Sequence, residues 1–208
     1  MEAPPSSFPS AIFDQADHWF RRAKAALLGT IPCSKGCCRC CIGPFPITLL
    51  DVKELQRGLR TLPAAHRRRI EERARRQTTT IEAAYPHLAS DPILDSWPDD
   101  QTDELASRFA DLPCPALQED GACGVYKFRP VTCRTMGIPM ETHGMVTGAC
   151  DTQTFVPVIR LSQSIRAEED RLAEQEARLL ENGKTGRALV GDEVLLQYGF
   201  LPDSNRTN

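Results

Sequence analysis

Cysteine clustering constrains this chain more than any other feature of its sequence. The 208 residues contain nine cysteines, five of them between residues 33 and 41, and the full set is Cys33, Cys37, Cys38, Cys40, Cys41, Cys114, Cys123, Cys133 and Cys150. The N-terminus shows no basic segment followed by an apolar one, so we expect no signal peptide and a cytoplasmic, reducing location. An odd number of cysteines in such a location favours metal binding or redox chemistry over a disulfide framework.

The composition excludes several other classes of protein. Hydrophobic residues make up 41% and charged residues 25%, a globular balance that argues against wholesale disorder. The formal net charge of −3 argues against a globally basic nucleic-acid-binding protein. The longest apolar runs have about four residues, and a membrane helix needs roughly 20, so no membrane association is expected.

The length predicts one domain over residues 10–201, because the chain is short for two full domains. Residues 1–9 and 202–208 are rich in Pro, Ser and Asn, and we expect loose termini there.

Apolar residues at helical spacing predict a mainly helical protein. The inward-facing residues are Ile12, Ala16, Trp19, Phe20, Ala23 and Leu27 in a first helix, Val52, Leu55 and Leu59 in a second, Ile70, Ala74, Gln77, Ile81 and Tyr85 in a third, and Leu161, Ile165, Leu172 and Leu179 in a fourth. Ser10 is a candidate N-cap for the first helix, Thr48 and Asp51 form a capping-box pattern before the second, and Pro63 suits the first position of the third. A last short helix is predicted over residues 192–198.

Two irregular stretches, residues 31–46 and 111–158, contain every cysteine. Both are rich in Gly and Pro and lack an apolar pattern that could build a core, and segments of this kind are often held together by a bound metal. The predicted fold is therefore mainly α, with helices around an irregular, metal-tied, cysteine-rich centre and at most a short hairpin, near residues 122–126.

The arginine-rich segment 67–76 predicts a solvated or salt-bridged helix face rather than a nucleic-acid interface. Glu71 and Glu72 interrupt its positive charge, and the acidic stretch that follows offers partners. The loop histidine His143 is a further candidate ligand that ranks below the cysteines.

The spacing of the cysteines resembles that of the YkgJ-type cysteine-cluster family, the zinc- or iron-chelating domains with a CxxCxxCC signature. The first cluster reads CxxxCxxCC, one residue longer in its first gap, and Cys38 is not part of the family pattern. The second half of the signature is matched by Cys114, Pro115, Leu117, Gly121, Cys123, Tyr126, Arg129, Pro130, Cys133 and Arg134. The resemblance covers roughly residues 31–155.

The resemblance implies a metal site built from eight cysteines, which form either one or two sites. They are Cys33, Cys37, Cys40, Cys41, Cys114, Cys123, Cys133 and Cys150. Thiolates are soft ligands that suit zinc or an iron–sulfur cluster, and we favour a cluster, [4Fe–4S], because three closely spaced thiols with a remote one are typical of cluster sites. Arg129 and Arg134 flank Cys133 and are predicted to offset the thiolate charge from the second coordination shell.

These residues leave the activity open. One hypothesis is a non-catalytic metalloprotein with a redox or electron-transfer role or a purely structural zinc site. The alternative is a cluster-dependent protein-modifying enzyme, because a related branch of the family resembles flagellin lysine N-methylases. The chain is too short for a complete βα barrel of about 250 residues, which disfavours a radical S-adenosylmethionine enzyme. The expected partner is the metal ion or cluster, and a protein partner stays open.

Overall fold

The computed structural model describes residues 10–27, 31, 36–138, 140–142, 145–147, 163–183 and 192–202. The helices are α1 (Ser10–Ala26), α2 (Leu49–Thr61), α3 (Ala64–Ala84), α4 (Asp99–Arg108), α5 (Val131–Thr135), α6 (Gln163–Gly183) and α7 (Leu196–Gly199). The strands are β1 (Pro46–Thr48), β2 (Met140–Thr142), β3 (Met145–Thr147) and β4 (Glu193–Leu195). Short 3₁₀ helices span Arg39–Cys41, Pro86–Ala89 and Tyr126–Phe128. The predicted mainly helical fold is confirmed.

The described strands form two small antiparallel pairs. β2 and β3 form a hairpin, and β1 pairs with β4, with Ile47 opposite Val194. The hairpin lies later in the chain than residues 122–126, where the structure has an isolated bridge and a 3₁₀ helix instead. The helix predicted over residues 192–198 is wrong in its first half, because those residues form β4.

Helix α1 packs against α5 and α6 through its predicted stripe. Ile12, Ala16 and Trp19 are buried there with Leu172 of α6, and the indole N–H of Trp19 donates to the carbonyl oxygen of Ile165 at 2.9 Å. The helix predicted over residues 161–181 corresponds to α6, which ends at Gly183; residues 161 and 162 lie outside the described residues.

A second and larger core lies between α2, α3 and α7. The capping box predicted for α2 is confirmed: Thr48 accepts from the backbone N–H of Asp51, whose side chain accepts from that of Thr48. Helix α3 starts one residue after Pro63, which serves as its N-cap. The residues shared with the predicted stripes are Val52, Leu55, Leu59, Ile70, Ala74 and Ile81.

The second cysteine stretch is more regular than predicted and reaches both cores. Cys114 and Val125 are buried in the larger core, whereas Val131 and Ile138 are buried beside α1. The short helix α5, which carries Cys133, also lies within this stretch, so the backbone of the stretch links the two cores. None of the described helices is both long and apolar enough to cross a membrane.

Candidate metal centre

The structure describes seven of the nine cysteines, all as free thiols. They are Cys37, Cys38, Cys40, Cys41, Cys114, Cys123 and Cys133. Cys33, Cys150 and the candidate ligand His143 lie outside the described residues. Two of the eight predicted ligands are therefore without a described position.

Backbone hydrogen bonds bring the two cysteine stretches together. The N–H of Cys114 donates to the carbonyl oxygen of Cys41 at 2.7 Å, and the N–H of Gly43 donates to that of Leu112, also at 2.7 Å. Ile42 forms an antiparallel bridge with Pro113 between these bonds. The first cluster thus lies alongside the residues that lead into Cys114.

A tight turn then places Cys123 near Cys114. The N–H of Gly124 donates to the carbonyl oxygen of Ala116 at 2.8 Å, and Leu117 bridges to Cys123. Gly121 in this turn has φ of +79°, and a Cβ there would lie 2.8 Å from the carbonyl oxygen of Gly36. Only glycine meets both requirements, since side chains disfavour this conformation and the first stretch occupies the space.

The Cys40 thiol interacts with its neighbour and with the second stretch. A hydrogen bond to Cys41, burial and electrostatic repulsion by Cys41 raise the pKa of Cys40 far above its ordinary value. Cys40 in turn raises the pKa of Cys123, for which burial is the larger cause. The first cluster and the Cys123 turn therefore share one electrostatic environment.

The remaining two thiols complete this group. Burial, with repulsion by Cys123, raises the pKa of Cys114 to about 12. Burial also raises the pKa of Cys133 well above its ordinary range, with further repulsion from Cys114 and Cys123. Five cysteines are thus linked by mutual interactions, and we call Cys40, Cys41, Cys114, Cys123 and Cys133 the thiol group.

In the described part of the chain, two arginines act electrostatically on the thiol group: Arg73 lowers the pKa of Cys114, and Arg129 acts on most of the other thiols. The charge of Arg129 lowers the pKa values of three of the five thiols, those of Cys40, Cys123 and Cys133. The guanidinium lies 3.9 Å from the centre of the Tyr126 ring and donates to a carboxylate oxygen of Asp17 at 3.3 Å. These two contacts hold Arg129 close enough to offset negative charge on the sulfurs.

The donor set suits a thiophilic metal. Soft sulfur donors match the ligand preference of zinc or an iron–sulfur cluster, and Arg129 and Arg73 offset part of the thiolate charge. In the described ranges, however, no three His, Cys, Asp or Glu side chains lie close enough together to hold a metal ion.

A family model matches residues 32–151, more than half of the chain, and it is the CxxCxxCC model described as a "Putative zinc- or iron-chelating domain". The chain belongs to the CxxCxxCC family. The match confirms the family expected from the cysteine spacing and supports metal binding, and its description names both metals. Comparison with curated proteins and with solved structures gives no match.

In this CxxCxxCC domain the second predicted arginine has a different setting from Arg129. Arg134 is buried, and its guanidinium donates to the carbonyl oxygens of Arg129 at 2.8 Å and Lys127 at 2.7 Å and to the carboxylate of Asp17. The acceptors of these hydrogen bonds are oxygen atoms rather than cysteine sulfurs. Arg134 thus fixes the loop that leads to Cys133 and ties it to α1.

Helix α3 supports the second cysteine stretch with two side chains that the sequence analysis did not assign to the site. Arg73 donates to the carbonyl oxygens of Pro115, at 3.2 Å, and Leu117, and the amide of Gln77 donates to that of Pro113 at 2.8 Å. The burial predicted for Gln77 was a usable signal, because a buried amide needs a partner. The sequence spacing of the arginines in α3 did not distinguish Arg73 from the others.

Proposed function

We propose that this protein binds an iron–sulfur cluster, [4Fe–4S], through its clustered cysteines and uses it in electron transfer. The proposed ligands are drawn from the thiol group and from three further cysteines, Cys33, Cys37 and Cys150. The observation that supports this proposal is the backbone hydrogen bond that joins Cys114 to Cys41, together with the electrostatic coupling of five thiols from these two distant segments. The family description supports a metal and leaves zinc as the competing occupant.

The charge at the site favours a compensated thiolate centre. Four thiolates on zinc or on a [4Fe–4S] cluster leave a net charge near −2, which costs free energy when it is buried. The positive charge of Arg129 lowers the pKa values of three of the thiols and therefore favours their thiolate forms. Hydrogen-bond donors and charges around a cluster also tune its reduction potential, so Arg129 is placed to do both.

The spacing of the ligands favours a cluster over a single zinc ion. Structural zinc sites are usually built from separated pairs of cysteines with two to four residues between them. Here Cys37, Cys40 and Cys41 are close in sequence, and the further cysteines come from a remote segment. Three neighbouring thiols with a distant partner are typical of iron–sulfur ligation.

Electron transfer is favoured by the exposure of the first cluster. Cys37, Cys40 and Cys41 are partly exposed, and Arg39 and Ile42 beside them are exposed to solvent. A cluster held there would lie near the surface, within reach of a redox partner.

The experiment is anaerobic purification with metal and sulfide analysis. We expect brown protein with broad visible absorption, iron and acid-labile sulfide. Cys40→Ser should lose the cluster, and Cys38→Ser is the matched control that should keep it, because Cys38 is outside the family pattern. Colourless protein with stoichiometric zinc and no sulfide would replace the cluster with a zinc site.

A further inference from the structure

Asp51 is a buried carboxylate whose two oxygens serve two different helices. It lies in the first turn of α2 with 1% of its surface exposed. One oxygen accepts from the backbone N–H of Thr48 at 3.2 Å and closes the capping box of α2. The other accepts from the backbone N–H of Val131 at 2.8 Å. Val131 is the first residue of α5, the helix that carries Cys133.

Helix α5 depends on this contact because it has no cap of its own. Pro130 occupies its N-cap position and makes no side-chain capping bond. A buried N–H without an acceptor costs about 1–3 kcal/mol. The Asp51 oxygen supplies the acceptor for the Val131 N–H that the residues around α5 do not provide. Arg134 anchors the other side of Cys133 through Asp17, and the ligand residue thus lies between two fixed points.

We propose that Asp51 is a positioning residue for the metal centre, which holds the start of α5 so that Cys133 faces the rest of the thiol group. This inference rests on the proposed metal site. An electrostatic role is disfavoured, because the negative charge of Asp51 opposes a thiolate at Cys133 rather than stabilising it. Asp51 therefore acts on the metal centre through its hydrogen bond to Val131, which fixes the start of α5.

The test compares perturbations of the two ends of this contact in the full chain. Asp51→Ala removes the acceptor, and Val131→Pro removes the donor while leaving α2 intact and placing proline at a first helical position. Thr48→Ala is the matched control, since it removes the other half of the same capping box. Two quantities are measured: zinc affinity by competition with a chelator, and the alkylation rate of Cys133 relative to Cys114 in metal-free protein.

We expect Asp51→Ala and Val131→Pro each to weaken zinc binding about tenfold and to speed alkylation of Cys133 relative to Cys114. Thr48→Ala should lower the melting temperature and leave both quantities within about twofold of the wild type. Asp51→Asn keeps an oxygen for the Val131 N–H, so its zinc affinity and its relative alkylation rate of Cys133 should be close to those of the wild type.

Equal effects of Thr48→Ala and Asp51→Ala would overturn the inference, as would an unchanged relative alkylation rate in Val131→Pro. If Asp51→Ala fails to fold, Val131→Pro alone decides, because it leaves the cap of α2 in place. A wild-type protein that binds neither zinc nor iron would refute the proposed function, whereas the alkylation rates in metal-free protein would still test how Cys133 is held.

Discussion

Replacing Gly58 with alanine should destabilise the protein, although alanine is the better helix former. Gly58 lies inside α2, where glycine costs about 1 kcal/mol relative to alanine. A Cβ at this position would lie 2.6 Å from both Cβ and Cγ of Phe128. Phe128 ends the 3₁₀ helix Tyr126–Phe128, between Cys123 and Cys133. Because the Cβ of Phe128 is itself too close, no side-chain rotation relieves the overlap, and the backbone must move.

The size of the effect follows from two opposing contributions. Overpacking of a core costs about 1–3 kcal/mol. Because the backbone must shift here, we take the cost at Gly58 as about 3 kcal/mol. The gain in helix propensity returns about 1 kcal/mol, which leaves a net loss of about 2 kcal/mol. For a chain of this size that loss corresponds to a melting temperature lower by about 4–8 °C.

Thermal melting of Gly58→Ala in two backgrounds checks this reasoning. In the wild-type background the substitution should lower the melting temperature, and in Phe128→Gly it should raise it, because the Cβ that causes the clash is gone and the propensity gain remains. Gly199→Ala is a useful comparison, since its new Cβ would meet only the terminal methyl groups of Ile47 and Leu55, which can move. A higher melting temperature for Gly58→Ala in the wild-type background would refute the argument.

Three further predictions concern acidity and ligand identity. Burial, with repulsion by Glu176, raises the pKa of Asp51 to about 7 from an ordinary value of 3.8. The folded state therefore binds the Asp51 proton more tightly than the unfolded state does. As the pH rises from about 4 to about 8, metal-free protein should lose on the order of 4 kcal/mol of stability. Denaturant unfolding at several pH values measures this. Because the pKa of Cys114 is raised to about 12, zinc must displace protons, and chelator competition should show an affinity that rises with pH. Mass spectrometry after alkylation of metal-loaded protein should show Cys38 labelled before Cys40.

Each of these three predictions can be contradicted by a specific measurement. Asp51→Asn should flatten the pH dependence of stability, and an unchanged slope would assign it to other carboxyls such as Glu176, whose pKa burial also raises. A zinc affinity independent of pH would mean that the thiols are already ionised. Loss of metal in Cys38→Ser as severe as in Cys40→Ser would place Cys38 among the ligands.

Features of the fold that depend on neighbouring residues were predictable. The capping box of α2 is read from four consecutive residues, and the stripe of α3 repeats over several turns. Helix α4 was not predicted, because Leu105 is the only residue of that helix that is buried, and one apolar position makes no stripe. Strand β4 was taken for helix because its partner β1 is remote in sequence, and a three-residue strand has too little alternation to be recognised.

The same division applies to the candidate site. The cysteine spacing predicted the family, because the signature is a property of neighbouring residues, whereas the choice of ligands stays a prediction. The side chains that bind the backbone beside the thiols were not predictable from spacing, since Arg73, Gln77 and Asp51 contact backbone atoms that only the folded chain brings near them. Arg129 and Arg134 were both predicted to compensate charge, and they differ because Arg134 is directed towards Asp17 and two carbonyl oxygens.

The two cysteine stretches differ in how far protein contacts fix them. The second is fixed by protein contacts, since Cys114 and Val125 belong to the larger core and α3 binds its carbonyl oxygens. None of residues 36–42 is buried, and this part of the first stretch is tied to the second by the bond from Cys114 to Cys41. We therefore expect metal binding to stabilise mainly the first stretch, because the helices already hold the second in place.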